Sequence, residues 1–122
     1  MRGAEQPLFF LTINYIMNPY HASTEEAIKL LNKDQKRFVQ VMEDGNMTVE
    51  YYAPKKIDGQ QPHNKDEVYI VVSGNSDFYR NGENIKCKKG DVIFVPAKMD
   101  HRFINFSDDF ATWVIFYGEE IS

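Results

Sequence analysis

Cysteine is nearly absent from this chain, with Cys87 the single one among 122 residues. No internal disulfide can form and a thiolate metal cluster is excluded, which fits a reducing compartment and makes a cytoplasmic location the expectation. Positive charge is also in short supply: 14 Lys plus Arg stand against 18 Asp plus Glu, for a net charge of -4. The basic residues are scattered except for Lys86-Cys87-Lys88-Lys89, which reads as the solvated end of a hairpin, so no nucleic-acid partner is expected. Long apolar runs are missing too. The stretch "LFFLTINYIM", residues 8 to 17, is too short to cross a bilayer and carries Thr and Asn, so no membrane role is expected. A secretory leader is the rival reading, against which Glu5 sits where a basic segment belongs and no small-x-small cleavage site follows. Met17 instead opens "MNPYHASTEEAIKLL" in the manner of a natural start, and residues 1 to 16 are read as an upstream extension or an added strand. Repeats and low-complexity segments are lacking, and a chain of this length has room for one domain with one core.

What is present is ordinary globular composition: 43% hydrophobic and 14% aromatic residues predict a packed fold rather than a disordered one. Ser23-Thr24-Glu25-Glu26, followed by Ala27, Ile28, Leu30 and Leu31, carries the capping-box pattern and predicts one short helix ending near Asn32. From Arg37 onward, short runs of Val, Ile, Phe and Tyr alternate with Gly, Asn and Asp. They predict strands at 37–43, 47–53, 67–73, 76–80, 84–88, 91–95, 101–106 and 111–117. Asp44-Gly45-Asn46 and Asn81-Gly82 supply residues that tolerate positive φ, and Pro96 closes a strand. Many close-set strands without intervening helices mean an all-β sandwich or barrel, with residues 1–35 as an N-terminal extension plus helix and 36–122 as the barrel domain. "VYIVV" and "TWVIFY" are apolar on both parities, so a second copy of the chain is expected to cover one face in a homodimer.

The segment "GQQPHNKDEVYIVVSG", residues 59 to 74, places His63 and Glu67 four apart ahead of an apolar run. Taken alone, the pair reads more readily as solvated residues at the start of a strand than as two metal ligands. His21 lies ahead of the helix and reads as a surface residue. Phe78, Phe94, Phe103, Phe106, Trp113, Ile115 and Phe116 read as barrel packing, while Tyr51, Tyr52 and Tyr69 are candidates to offer a phenol to a pocket. Tyr69 is the leading candidate for a catalytic role because it shares strand parity with Glu67.

Gly59, Gln61, His63, Glu67 and Gly74 resemble the first cupin motif, G(x)5HxH(x)3-4E(x)6G, with Gln61 in place of its first histidine and the leading glycine displaced. "GDVIFVPAKMDHRFIN" resembles the second, G(x)5PxG(x)2H(x)3N, with Gly90, Pro96, His101 and Asn105 in register and Lys98 in place of the inner glycine. The resemblance implies a cupin-type jelly-roll β-barrel with a site inside it. Imidazole and carboxylate suit Fe, Mn, Ni, Zn or Cu, and His63, Glu67 and His101 supply two imidazoles and a carboxylate for such a divalent transition metal. Gln61, on the parity of His63, is expected to be a fourth, neutral ligand. An unbroken strand would also aim Lys65 inward at the cation, so Asn64-Lys65-Asp66 is expected to bulge outward. Arg102, beside His101, is expected to point away.

The resemblance implies a small metal-binding protein, with a metal-dependent, dioxygenase-like enzyme acting on a small organic molecule as the leading reading. Similar sites in the family serve dioxygenases, oxalate-degrading enzymes, isomerases and lyases, so the ligands do not select the reaction. The alternative is a non-catalytic barrel that binds or senses a small ligand, with or without a metal. A storage role is the weakest reading, because the chain has neither repeats nor a disulfide framework.

Overall fold

The computed structural model describes residues 19–122, and the expectations for residues 1 to 16 lie outside the described residues. Helix α1 spans Thr24–Asp34, two residues longer than predicted. Ser23 caps it: its hydroxyl accepts from the Glu26 N–H at 3.1 Å, and the Glu26 carboxylate accepts from the Ser23 N–H at 3.2 Å. Both orphan donors of the first turn are thereby met. The helix stops where Gln35 turns left-handed, with φ 54° and its N–H on the Leu31 carbonyl.

All eight predicted strands form, in the order β1 Phe38–Asp44, β2 Met47–Tyr52, β3 Asp66–Ser73, β4 Asn75–Arg80, β5 Glu83–Lys88, β6 Val92–Val95, β7 His101–Ile104 and β8 Ala111–Tyr117. They make a five-stranded sheet, β1-β2-β8-β3-β6, facing a three-stranded sheet, β5-β4-β7. Every pairing is antiparallel. The β4–β5 hairpin turns on Asn81 and Gly82, at φ 46° and 91°, the primed-turn geometry for which Asn-Gly is suited.

Period two along β3 sends Glu67, Tyr69 and Val71 to the inner face, where all are buried. They meet Phe78 of β4, Phe103 of β7, Ile93 and Val95 of β6, Val114 of β8, Cys87 of β5 and Phe110. Each fully buried aromatic ring here contributes about 2–3 kcal/mol of transfer free energy. Cys87 is the inward residue of its basic run, with Lys86 and Lys88 exposed on either side. The opposite face of the large sheet has its own cover. Ala27 and Leu31 of α1 pack on Val41, Tyr51 and Ala111. Beyond the helix that face stays open, with Val92 67%, Phe94 46% and Tyr117 37% exposed. Phe94 is therefore not barrel packing as expected, because β6 presents Ile93 and Val95 to the core and turns Phe94 outward. Among the described residues, no helix is long and apolar enough to cross a membrane.

The β3–β4 connection shows what holds the two sheets together. Gly74 has φ 73°, and a Cβ there would clash with Ser107 Oγ and come within 2.8 Å of the Phe110 Cα. Ser107 in turn donates to Asp109 and accepts from the Asn75 N–H. A Gly74→Ala variant is expected to lose about 3 kcal/mol, since backbone strain and overpacking add at one position. Urea unfolding followed by circular dichroism measures it, and a loss under about 1 kcal/mol would contradict the close approach.

Candidate metal centre

Two strands and one coil deliver the site. Glu67 and Tyr69 come from the start of β3, and His101 is the first residue of β7, 1% exposed. His63 stands in the coil before β3, and its carbonyl accepts from the Lys98 N–H at 2.7 Å. Lys98 has φ 73°, the left-handed conformation for which glycine is suited, and it occupies the position of the motif's inner glycine. This turn keeps the motif's backbone shape with a side chain on it.

His101 Nε2 lies 3.3 Å from Glu67 Oε2, and His63 Nε2 lies 4.0 Å from the same oxygen. One donor atom from each of His63, Glu67 and His101 can be chosen so that all lie within 4.8 Å of one another. The Met99 carbonyl, 2.9 Å from His101 Nδ1, holds a proton on that nitrogen of a neutral ring and leaves Nε2 to bind. The carboxylate of Glu67 is 1% exposed, and its Oε1 has no hydrogen-bond partner among the described residues. Burial pushes its pKa up to about 7, with the nearby Glu50 and Asp58 carboxylates adding to the shift. Burial also lowers His63 below the usual imidazole range, helped by His101. A buried carboxylate short of donors, facing two imidazoles, is a site that a divalent cation satisfies. The residues fit a metal.

Gln61 is exposed, and it is the neighbouring Gln60 that meets the site. Its Oε1 accepts from the Tyr69 hydroxyl at 2.8 Å and lies 3.4 Å from His63 Nε2. Strand parity misplaced the amide because residues 59 to 65 are coil, where alternation does not apply. Lys65 sits at a bend and its ammonium reaches the Asn46 carbonyl at 2.7 Å, in the β1–β2 turn, so it does not occupy the cation position. Tyr69 is fully buried, its hydroxyl 3.1 Å from His101 Nε2, and burial holds the phenol pKa well above its ordinary value. Tyr52 turns to Asp58, whereas Tyr51 packs outward against Trp113 with ring centroids 5.1 Å apart. Arg102 points away, its guanidinium 4.6 Å over the Tyr79 ring and 3.3 Å from Asp100. His21 is exposed and takes no part.

Two residues of the site are not singled out by the sequence motifs. Asp58 looks like a turn residue in "KKIDGQ" yet is buried and accepts from Tyr52, Gln60 and Phe103. Glu50 sits between Thr48 and Tyr52 on the inner face of β2, its carboxyl pKa raised by burial. Parity with Tyr52 was the available clue. Glu50, Tyr52, Gln60, His63, Phe116 and Arg37 line a cavity of about 740 Å³, which meets the centre on the side of His63.

Residues 48–117 match the Cupin domain family. An uncharacterized protein of Streptomyces coelicolor is 37% identical over 85 residues, covering 68% of this chain and 81% of its own. Among solved structures, a cupin 2 conserved barrel domain protein from Salinispora arenicola aligns with TM-score 0.57 and 19% identity, covering 66% of this chain and 74% of the other. A chain from crystal structures of DMSP lyases aligns with TM-score 0.56 and 25% identity, covering 68% of this chain and 47% of that one. With two facing antiparallel sheets, the histidine-glutamate-histidine cluster between them and a family match over more than half its length, the chain belongs to the cupin family.

Proposed function

We propose that this chain is a metal-dependent enzyme acting on a small organic molecule, with His63, Glu67 and His101 as ligands to a divalent transition metal. The observation that carries the reading is Glu67: a carboxylate buried in a β container, with one oxygen unpartnered and the other facing His101 at 3.3 Å. Substrate enters by the cavity beside His63, where Gln60, Glu50 and Tyr52 meet it. When bound, the metal polarises a substrate oxygen and supplies the positive field that eases proton loss from nearby groups. Tyr69, a neutral phenol against a ligand imidazole, is the group that gives a proton, and it takes one back only from the phenolate that the positive field stabilises. Its position favours proton-transfer chemistry over the dioxygenase form of the reading, and a similarity to lyase structures supports the same choice. A ligand-sensing barrel is what remains if metal binds without turnover. A reducing, cytoplasmic location is proposed on the single, unpaired cysteine, Cys87.

A second copy of the chain is proposed to cover the open outer face at Val92, Phe94 and Tyr117, since an apolar sheet face of this kind is commonly closed by two-fold pairing.

Elemental analysis of protein purified without a metal-affinity column should show about one transition metal per chain, lost in His63→Ala and in His101→Ala. Affinity should be level above pH ~7, where Glu67 has shed its proton, and fall about tenfold per pH unit below that as protons compete for the carboxylate and then the imidazoles. An affinity unchanged from pH ~8 to pH ~5 would rule out this ligand set. Once a substrate is in hand, Tyr69→Phe should retain the metal and lose about a hundredfold or more in kcat. Turnover that persists without oxygen would establish proton transfer, and strict oxygen uptake would establish the dioxygenase form. Light scattering should report a dimer that Phe94→Glu converts to monomer; a monomeric parent would remove the dimer proposal.

A further inference from the structure

We infer that Asp58, acting through Gln60, sets the direction of the Tyr69 hydroxyl and so keeps the Nε2 face of His101 open to a cation. The chain of contacts begins at backbone. The Phe103 N–H donates to Asp58 Oδ2 at 2.8 Å, and the Gln60 N–H donates to Oδ1 at 3.2 Å. Backbone donors cannot reverse, so both oxygens of Asp58 act as acceptors. The side-chain amide of Gln60 touches Oδ2 at 2.8 Å, and of its two orientations only the one presenting NH2 suits that contact. Its oxygen is thereby turned to the other side, 2.8 Å from the Tyr69 oxygen. The amide oxygen and the bare His101 Nε2 both accept, and the shorter contact, 2.8 Å against 3.1 Å, assigns the single phenol proton to Gln60.

At the far end, the Met99 carbonyl fixes the proton of His101 on Nδ1. The bare Nε2 then faces the Tyr69 oxygen at 3.1 Å and Glu67 Oε2 at 3.3 Å. The Nε2 lone pair is then left uncapped by the phenol proton. With Gln60 reversed, the phenol would donate to Nε2 and cap the ligand atom. Asp58 and Gln60 are thus positioning residues, and their action on the metal rests on the reading of the centre given above.

The test uses the full chain and zinc as probe, comparing Asp58→Asn and Gln60→Leu with the parent. Both variants should weaken zinc about tenfold or more. In metal-free protein, NMR of the His101 ring nitrogens should show Nε2 becoming a hydrogen-bond acceptor in both. Gln60→Leu leaves the backbone contacts of Asp58 in place, so it carries the test if Asp58→Asn does not fold. Parent-like zinc affinity and parent-like ring nitrogens in Gln60→Leu would overturn the inference, as would changes confined to Asp58→Asn, which would make Asp58 structural only. Should the parent take no zinc, the metal reading falls, while the ring-nitrogen comparison still decides for or against control of the hydroxyl.

Discussion

Glu67 carries its carboxylate on the inner face of β3, where water does not reach it, and a charge placed there has to be met by another charge or by a proton. The surroundings are arranged around that demand. Tyr69, two residues along the same face, closes the bottom of the site and joins the aromatic core of Phe78 and Phe103. The imidazole of His101 comes from the opposite sheet, so the contact between it and Glu67 spans the barrel interior. Packing and chemistry are in this sense one problem. The sheets must stay close enough for the aromatic rings to fill the space, and that same separation sets the distance between the acid and its partner. Replacing either member with the other left in place would strand a buried polar group, which is the costly way to break such a pair.

Much of this was legible along the chain. The strands announced themselves because β-branched and aromatic runs alternate with Gly, Asn and Asp, and the two turn signals recur as residues of positive φ at Gly45, Asn81 and Gly82. His63, Glu67 and His101 were legible because their spacing belongs to two motifs whose order and separation constrain each other. Gln60 was mistaken for Gln61 because parity was extended into a segment that is not a strand. Asp58 was invisible for a different reason. Its partners Tyr52 and Phe103 lie 6 and 45 residues away in sequence, and only the closed barrel brings the coil over the mouth of the sheet. Local pattern has no access to such a contact. The same holds for Lys65, whose inward direction was correctly doubted but whose anchor, the Asn46 carbonyl, is 19 residues distant.

The turn from Pro96 to Met99 holds both histidines, one by its backbone and one by its ring, without contributing a side chain to either. Its Lys98 N–H holds the carbonyl of His63, and its Met99 carbonyl holds Nδ1 of His101. Four residues on the rim therefore act as a caliper, and the gap between the rings follows the shape of that loop. The spacing of the two histidines is in this way set partly by a bend of the backbone that lends neither of them a side chain.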